Sequence, residues 1–142
     1  MRTVHGVVLL VAAVAGSSLA AAACPTLPPL FPNPHVSVQQ LGDLLTEVRS
    51  RPGFSCRPFG PYQVLCGSDG SHELWWLTEA GHPAHPAASR GQIVTSADTR
   101  ETCLLRDGYF AGPEEPFSQW FRELKHYDEQ TVETFRKQSN AT

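Results

Sequence analysis

Two histidines that each precede a proline, His82 and His85, are the residues of this sequence best suited to chemistry. Imidazole is the commonest metal ligand in proteins and can transfer protons near neutral pH. A residue before proline favours extended backbone, and three residues of polyproline-like chain span roughly 9 Å. That separation is wide for two ligands of one ion unless the segment turns. Because a zinc site also needs further ligands, we treat both histidines as weak metal candidates and predict no cofactor. The residues that could complete a site are His72, Glu79 and Asp107.

Motifs for covalent or acid–base catalysis are weaker still. The sequence contains no Gly-x-Ser-x-Gly nucleophile elbow, and a catalytic cysteine would have to escape disulfide pairing. Glu114 and Glu115 are neighbours, so a helix points them in different directions, which does not suit the paired carboxylates of a glycosidase. No catalytic residue is assigned, and the sequence favours a protein that is not an enzyme. The alternative is a small metal-binding protein or hydrolase centred on His82 and His85.

Adjacent tryptophans precede the histidines, on a strand predicted over residues 72–78. Alternation along a strand points Trp75 and Trp76 to opposite faces of the sheet. One should lie in the core, and the other should lie under a helix or stay exposed as an interaction patch. We predict a binding surface made of Trp75, His82 and His85.

The first 23 residues have the three-part layout of a secretory signal peptide. A positive charge at Arg2 is followed by an uncharged apolar run, Val7 to Ala15, and then by small residues that suit cleavage between Ala20 and Ala23. Retention as a membrane anchor is less favoured, because much of the stretch is alanine and serine while a spanning helix needs about 20 apolar residues. We expect the protein to be periplasmic or secreted.

Four cysteines in an exported chain predict two disulfides. A predicted β-hairpin places Cys56 and Cys66 on neighbouring strands, which favours their pairing and leaves Cys24 for Cys103. Sequence alone keeps all three connectivities open. The alternative role for Cys24 is lipid attachment in a bacterial lipoprotein, although Ala21 stands where such signals usually have leucine. Lipid on Cys24 would leave three thiols, one of them without a partner.

The order of predicted elements describes an α+β domain: an N-terminal helix, a mainly antiparallel sheet of four or five strands, and a C-terminal amphipathic helix. The capping box Ser37–Gln40 and the stop at Pro52-Gly53 predict the first helix at about Val38 to Ser50. Apolar spacing after Pro116 predicts the last helix, which closes at about Lys137. The predicted strands are residues 54–58, 62–67, 72–78, 92–96 and 102–106.

The chain is predicted to have a single folded domain. Five prolines between residues 25 and 34 exclude helix there. This leader could tether the domain, or lie along its surface if a disulfide pins Cys24. Roughly 120 residues remain after the signal, which is the size of one domain. The predicted parts are a signal peptide at 1–23, an extended leader at 24–35, an α+β domain at 36–138 and a disordered tail at 139–142.

The segment around the histidines resembles a signature of small exported bacterial proteins, Trp-x-x-Thr-x-x-Gly-x-Pro-Ala-His-Pro, which follows a cysteine hairpin. A run similar to theirs, residues 108–112, precedes the last helix, so the resemblance covers roughly residues 54–124. It implies export and a bacterial origin, and the group has no assigned activity. The matching residues are Trp75, Thr78, Gly81, Pro83, Ala84, His85 and Pro86, with Cys56 and Cys66 upstream.

The charge of the chain argues against two classes of partner, nucleic acid and anionic membranes. It has 11 lysines and arginines against 14 aspartates and glutamates, a net charge of −3 at pH 7, without blocks of one sign. Nothing in this pattern attracts nucleic acid or an anionic membrane, and no membrane span is expected after signal cleavage. We therefore predict a small disulfide-containing module that binds an envelope or secreted protein without catalysis.

Overall fold

A computed structural model describes residues 24–68, 70, 72–96 and 100–141. The predicted signal peptide lies outside these residues. Within them the predicted α+β fold is confirmed. The elements are α1 (Val38–Ser50), β1 (Ser55–Pro58), β2 (Gln63–Gly67), β3 (Glu73–Thr78), β4 (Ala87–Thr95), β5 (Thr102–Phe110) and α2 (Glu114–Asn140).

The five strands form one sheet in the order of the chain, and each pairs antiparallel with the next. Residues one apart on a strand point to opposite faces, and here each face has its own apolar cluster. Val64, Trp75 and Leu77 pack with α1 on one face. Leu65 and Trp76 pack with α2 on the other. The domain therefore has three layers, with the sheet between the two helices.

Helix α1 begins and ends where its sequence predicts. The Ser37 hydroxyl accepts a hydrogen bond from the Gln40 backbone N–H, and the Gln40 side chain accepts one from the Ser37 N–H. These bonds satisfy two donors that helical bonding leaves open. Leu41 and Val48 are fully buried on the face toward the sheet, so local capping and tertiary packing favour the same boundaries.

Strands β4 and β5 are longer than predicted. The added residues include small ones that have weak strand propensity, and close packing against the helices explains their small size. Ala87, Ala88 and Ser89 begin β4 and are completely buried between the helical layers. Gly108 lies beyond the predicted strand 102–106, and a Cβ there would lie 2.9 Å from the rings of Phe117 and Phe121. These residues have weak strand propensity, and the close approach of the neighbouring layers overrides it.

Both tryptophans of the predicted pair are buried, one on each face. Trp75 is 1 % exposed and packs in the α1 cluster, whereas Trp76 is 3 % exposed and packs in the α2 cluster. Alternation predicted their opposite directions. The presence of a helix on both faces removes both rings from the surface.

The two disulfides are the pairs that the sequence favoured. Cys56 pairs with Cys66 across β1 and β2, where the two residues are direct register partners. Cys24 pairs with Cys103 on β5. None of the four cysteines, all within the described residues, is free.

The proline-rich leader lies along the surface of the sheet next to β5. An Arg90 guanidinium N–H donates to the Pro28 carbonyl at 2.9 Å, and the Leu30 backbone N–H donates to the Tyr109 hydroxyl at 2.8 Å. Near its end, the Val36 N–H donates to the Phe110 carbonyl at 2.9 Å. With the Cys24 disulfide at its start, the leader is therefore held at both ends.

Two arginine–aspartate pairs involve β4 and β5, one on each face of the sheet. Arg90 on β4 binds Asp107, its register partner on β5, on the leader side. Arg106 on β5 binds Asp128 of α2, with side chains only 1 % and 9 % exposed. The Arg106–Asp128 pair thus attaches α2 to one face. On the other face the Arg90–Asp107 pair links β4 to β5, and Arg90 also reaches the leader at the Pro28 carbonyl.

Helix α2 is longer than predicted and runs to Asn140, into the residues assigned to a tail. No glycine or proline follows Lys137 to stop it. Phe117, Trp120 and Leu124 are buried against the sheet. Among the described residues, no helix combines the length and the apolar character that crossing a membrane requires.

Candidate functional site

The connection between β3 and β4, which carries His82 and His85, is built from consecutive turns and is not extended. The His82 N–H donates to the Glu79 carbonyl at 3.1 Å, and the His85 N–H donates to the His82 carbonyl at 3.0 Å. The Glu79 N–H donates to the Tyr62 carbonyl at 2.8 Å, which attaches the connection to the β1–β2 turn. The segment therefore turns, a possibility that the sequence left open. Residues 80–81 and 83–84 form the centres of the two turns, and His82 and His85 lie at turn ends.

Thr78, 2 % exposed at the end of β3, anchors the connection from inside. Its hydroxyl accepts a hydrogen bond from the Ala87 N–H at 2.9 Å and lies 3.0 Å from Nδ1 of His85. Ala84, between the two histidines, is fully buried. His85 thus helps to fix the shape of the connection, and its Nδ1 is engaged in the hydrogen bond with the Thr78 hydroxyl.

His82 points the other way, toward α2. Its ring lies 5.6 Å from the Trp120 ring in an edge-on arrangement. Its Nδ1 accepts a hydrogen bond from the Ala84 N–H at 3.0 Å, which assigns the proton of the neutral ring to Nε2. The Trp120 indole N–H in turn donates to Gln63 Oε1 at 3.0 Å. His82 therefore has a fixed orientation against a buried wall.

Between this connection and α2 lies a groove of about 330 Å³, which we call the histidine groove. One wall comes from the β3–β4 connection and the other from the first half of α2. Its lining residues are His82, Pro83, Glu115, Pro116, Gln119, Trp120 and Glu123.

The electrostatics of the histidine groove keep His82 neutral near pH 7. Burial lowers the pKa of His82 from its usual 6.5, and the nearby His85 lowers it further, while Glu123 acts in the opposite direction. Burial disfavours the charged imidazolium because water is lost around it. Glu115 and Glu123 are then the charged groups that line the groove.

An exposed tyrosine lies beside the groove at the same end of the domain. Tyr62 is 59 % exposed and has a left-handed backbone, with φ of 57°. Its ring covers Gly81, where an added Cβ would lie 2.9 Å from two ring carbons. Gly81 also has φ of 102°, a conformation that glycine adopts without strain. The contact links the β1–β2 turn to the residue that precedes His82.

The histidines do not form a metal site with their predicted neighbours. In the described part of the chain, no three histidine, cysteine, aspartate or glutamate side chains are grouped so that they could hold an ion. Asp107 is paired with Arg90. The Nδ1 atoms of both histidines are engaged within the connection, so each ring offers only Nε2 to any ligand.

Of the three residues predicted to form a binding surface, the structure brings only His82 to the groove. Trp75 lies under α1, and its indole N–H donates to Glu73 Oε1 at 2.7 Å. Contact between Trp75 and a partner would require α1 to move away, so the prediction for this residue is corrected. His85 is partly buried and bonds to Thr78.

A larger groove, of about 450 Å³, lies at the opposite end of β5 beside the Cys24–Cys103 disulfide. Several charged side chains around it already have partners. Arg106 and Asp128 bind each other, and Glu133 contacts Arg136 at 3.9 Å. The histidine groove is the better candidate, because its two carboxylates have no lysine or arginine partner among the described residues.

Comparison with protein-family models, curated proteins and solved structures finds no match for the chain. The function is therefore inferred from the groove itself. The signature-like residues Trp75, Thr78, Gly81 and Ala84 all have structural tasks: Trp75 lies in the core under α1, and the other three shape the β3–β4 connection. His82 is not part of that signature, and it is the residue that faces α2.

Sequence reasoning missed the α2 wall of the groove. From the sequence, Glu115 is considered only as the neighbour of Glu114, and Gln119 and Glu123 are not singled out. Their spacing of four and eight residues is the signal that could have found them, because it places all three along one side of a helix. Nothing local indicates that this side meets a connection more than 30 residues earlier in the chain.

Proposed function

We propose that this protein is an exported, non-catalytic binding module that uses the histidine groove to contact an envelope or secreted protein. The observation that carries the proposal is the fixed orientation of His82 and Pro83 opposite the open side of α2. A preorganised surface loses little entropy on binding. The preorganisation comes from the backbone hydrogen bonds of the turns, from the Thr78 hydroxyl bonded to the Ala87 N–H, and from the contact of His82 with the Trp120 ring.

Export is supported by the signal-peptide pattern of residues 1–23 together with the two disulfides. Disulfides persist in oxidising compartments and are rare in the cytosol. The bond from Cys24 to Cys103 favours ordinary cleavage over the lipoprotein alternative, because a sulfur held in a disulfide cannot also carry a thioether-linked lipid. The resemblance to small exported bacterial proteins supports the same compartment.

A binding role also suits the chemistry of the groove. The described residues that line it include no hydroxyl or thiol side chain that could act as a nucleophile. His82 uses Nδ1 to accept the Ala84 N–H, and therefore no carboxylate orients it in the manner of a catalytic triad. The groove can recognise a ligand through its carboxylates, the His82 Nε2–H and apolar walls.

Site-directed photo-crosslinking in the cells that produce the protein tests this proposal. A benzophenone side chain at Gln119, on the groove, should give one specific adduct with another protein. The same group at Gln39, exposed on α1 in the opposite layer, serves as the matched control and should not give it. His82→Ala should reduce the adduct at unchanged protein level. Identical adducts from both positions, or none from Gln119, would overturn the proposal.

A further inference from the structure

The two carboxylates of the histidine groove have a defined separation. Glu115 and Glu123 lie eight residues apart on α2, which is about 12 Å along a helix axis. Gln119 lies between them and donates to Glu123 Oε1 at 3.4 Å, a long hydrogen bond. The next basic residues of the helix, Arg122 and Lys125, do not line the groove. The groove therefore has two negative positions that no positive side chain of the described chain neutralises.

The walls between these positions suit the stems of long basic side chains. Pro83, Pro116 and Trp120 supply apolar surface along the groove. Lysine and arginine bury their methylene stems on such surface while their charged ends reach more polar positions. At about 330 Å³ the groove is near the small end of ligand pockets, so it admits side chains of a partner and not a folded element.

We infer that the partner presents an extended segment with two lysines or arginines four residues apart, one for Glu115 and one for Glu123. In an extended chain, side chains at positions i and i+4 point the same way and lie about 13 Å apart, close to the 12 Å between the helix positions. Basic side chains that are three residues apart in an extended segment point to opposite sides of it. This inference rests on the proposed function and names the chemistry of its partner.

The two glutamates should contribute unequally. Glu115 lies in the first turn of α2, where the positive end of the helix dipole offsets part of its charge. Glu123 lies two turns further along the helix, beyond that effect. Exposed ion pairs contribute about twofold to fivefold in affinity, so Glu123→Gln should weaken binding by about that factor and Glu115→Gln by less.

Titration of the ¹⁵N-labelled protein with synthetic peptides, followed by NMR at pH 7.5, tests the inference. The probes are serine- and threonine-based peptides with two lysines four apart, two lysines three apart, or two glutamates four apart. We expect the first to shift the Gln119 and Trp120 side-chain N–H signals with a Kd at least about threefold below that of the second. The third should give no shift. Glu129→Gln, an exposed change outside the groove, should leave all values unchanged.

Equal affinity for the two lysine peptides, or no effect of Glu123→Gln, would overturn the inference. The crosslinking experiment separates this failure from failure of the proposed function. An adduct at Gln119 that persists while the lysine peptides do not bind refutes only the basic character of the partner. Loss of the adduct refutes the binding role of the groove itself.

Discussion

Replacing Asp128 with asparagine should destabilise the domain strongly, because it removes the charge that neutralises a buried guanidinium. The Arg106 side chain is 1 % exposed, and its Nε and Nη2 atoms each lie 2.6 Å from an Asp128 oxygen. Its third nitrogen donates to the Ser89 hydroxyl at 3.0 Å, and the group lies 4.2 Å from the Trp76 ring centre. The Ser89 hydroxyl and the Trp76 ring carry no charge, so neither can neutralise the guanidinium in place of the Asp128 carboxylate.

Removing one partner of a buried ion pair costs about 3–5 kcal/mol. Single domains have unfolding free energies of about 5–15 kcal/mol, so Asp128→Asn should remove roughly a fifth or more of the total. In urea, with both disulfides intact and a slope of about 1.5 kcal/mol per molar, the midpoint should fall by about 2–3 M. Equilibrium denaturation followed by tryptophan fluorescence measures this shift.

Glu133→Gln is the matched control on the same helix. Its carboxylate is 54 % exposed and contacts Arg136 and Lys137 only at 3.9 Å, so the loss should stay below about 1 kcal/mol. A similar loss for Asp128→Asn would refute the reasoning, because it would mean that Arg106 keeps its hydration. The double change Arg106→Met with Asp128→Leu should recover most of the stability, since a buried pair is replaceable by apolar side chains.

Two further predictions concern proton binding and the disulfides. Because folding lowers the pKa of His82 from 6.5, the unfolded chain binds more protons below that pH, and the free energy of unfolding should fall as the pH drops through 6.5. Denaturation from pH 7.5 to 5 should show a smaller fall for His82→Gln; equal falls would contradict the assignment. Replacing Cys24 and Cys103 with serine opens a link between residues 79 apart and should cost about 4.5 kcal/mol, against about 2.7 kcal/mol for the 10-residue Cys56–Cys66 link. Calorimetry that shows the reverse order would rule out the loop-entropy explanation.

The parts of the fold that follow from local rules were predictable from the sequence. Helix α1 matches its predicted bounds because the capping box and the Pro52-Gly53 stop act within a few residues. Alternation also predicted that Trp75 and Trp76 point to opposite faces. Local rules did not reveal that both faces of the sheet carry a helix. The helix on the α1 face makes Trp75 a core residue and not a contact residue.

Features that depend on pairing between residues distant in the chain could not be predicted from the sequence. Asp107-Gly108 has the composition of a turn, yet both residues continue β5 because Asp107 meets Arg90 across the strands and Gly108 makes room for α2. For the same reason, the sequence drew attention to His82 but not to Glu123. The two residues line one groove although 41 positions separate them, and no periodic pattern of the chain encodes that proximity.

The course of the leader determines how the domain can be displayed. Cys24 and Arg136 border one cleft near the Thr102 end of β5, whereas the His82 connection meets the Phe110 end through the Ala111–Pro86 bond. Eight strand steps, roughly 27 Å, separate these ends. A surface, tag or fused domain joined ahead of Cys24 would therefore leave the histidine end pointing outward, accessible to molecules that approach from the far side.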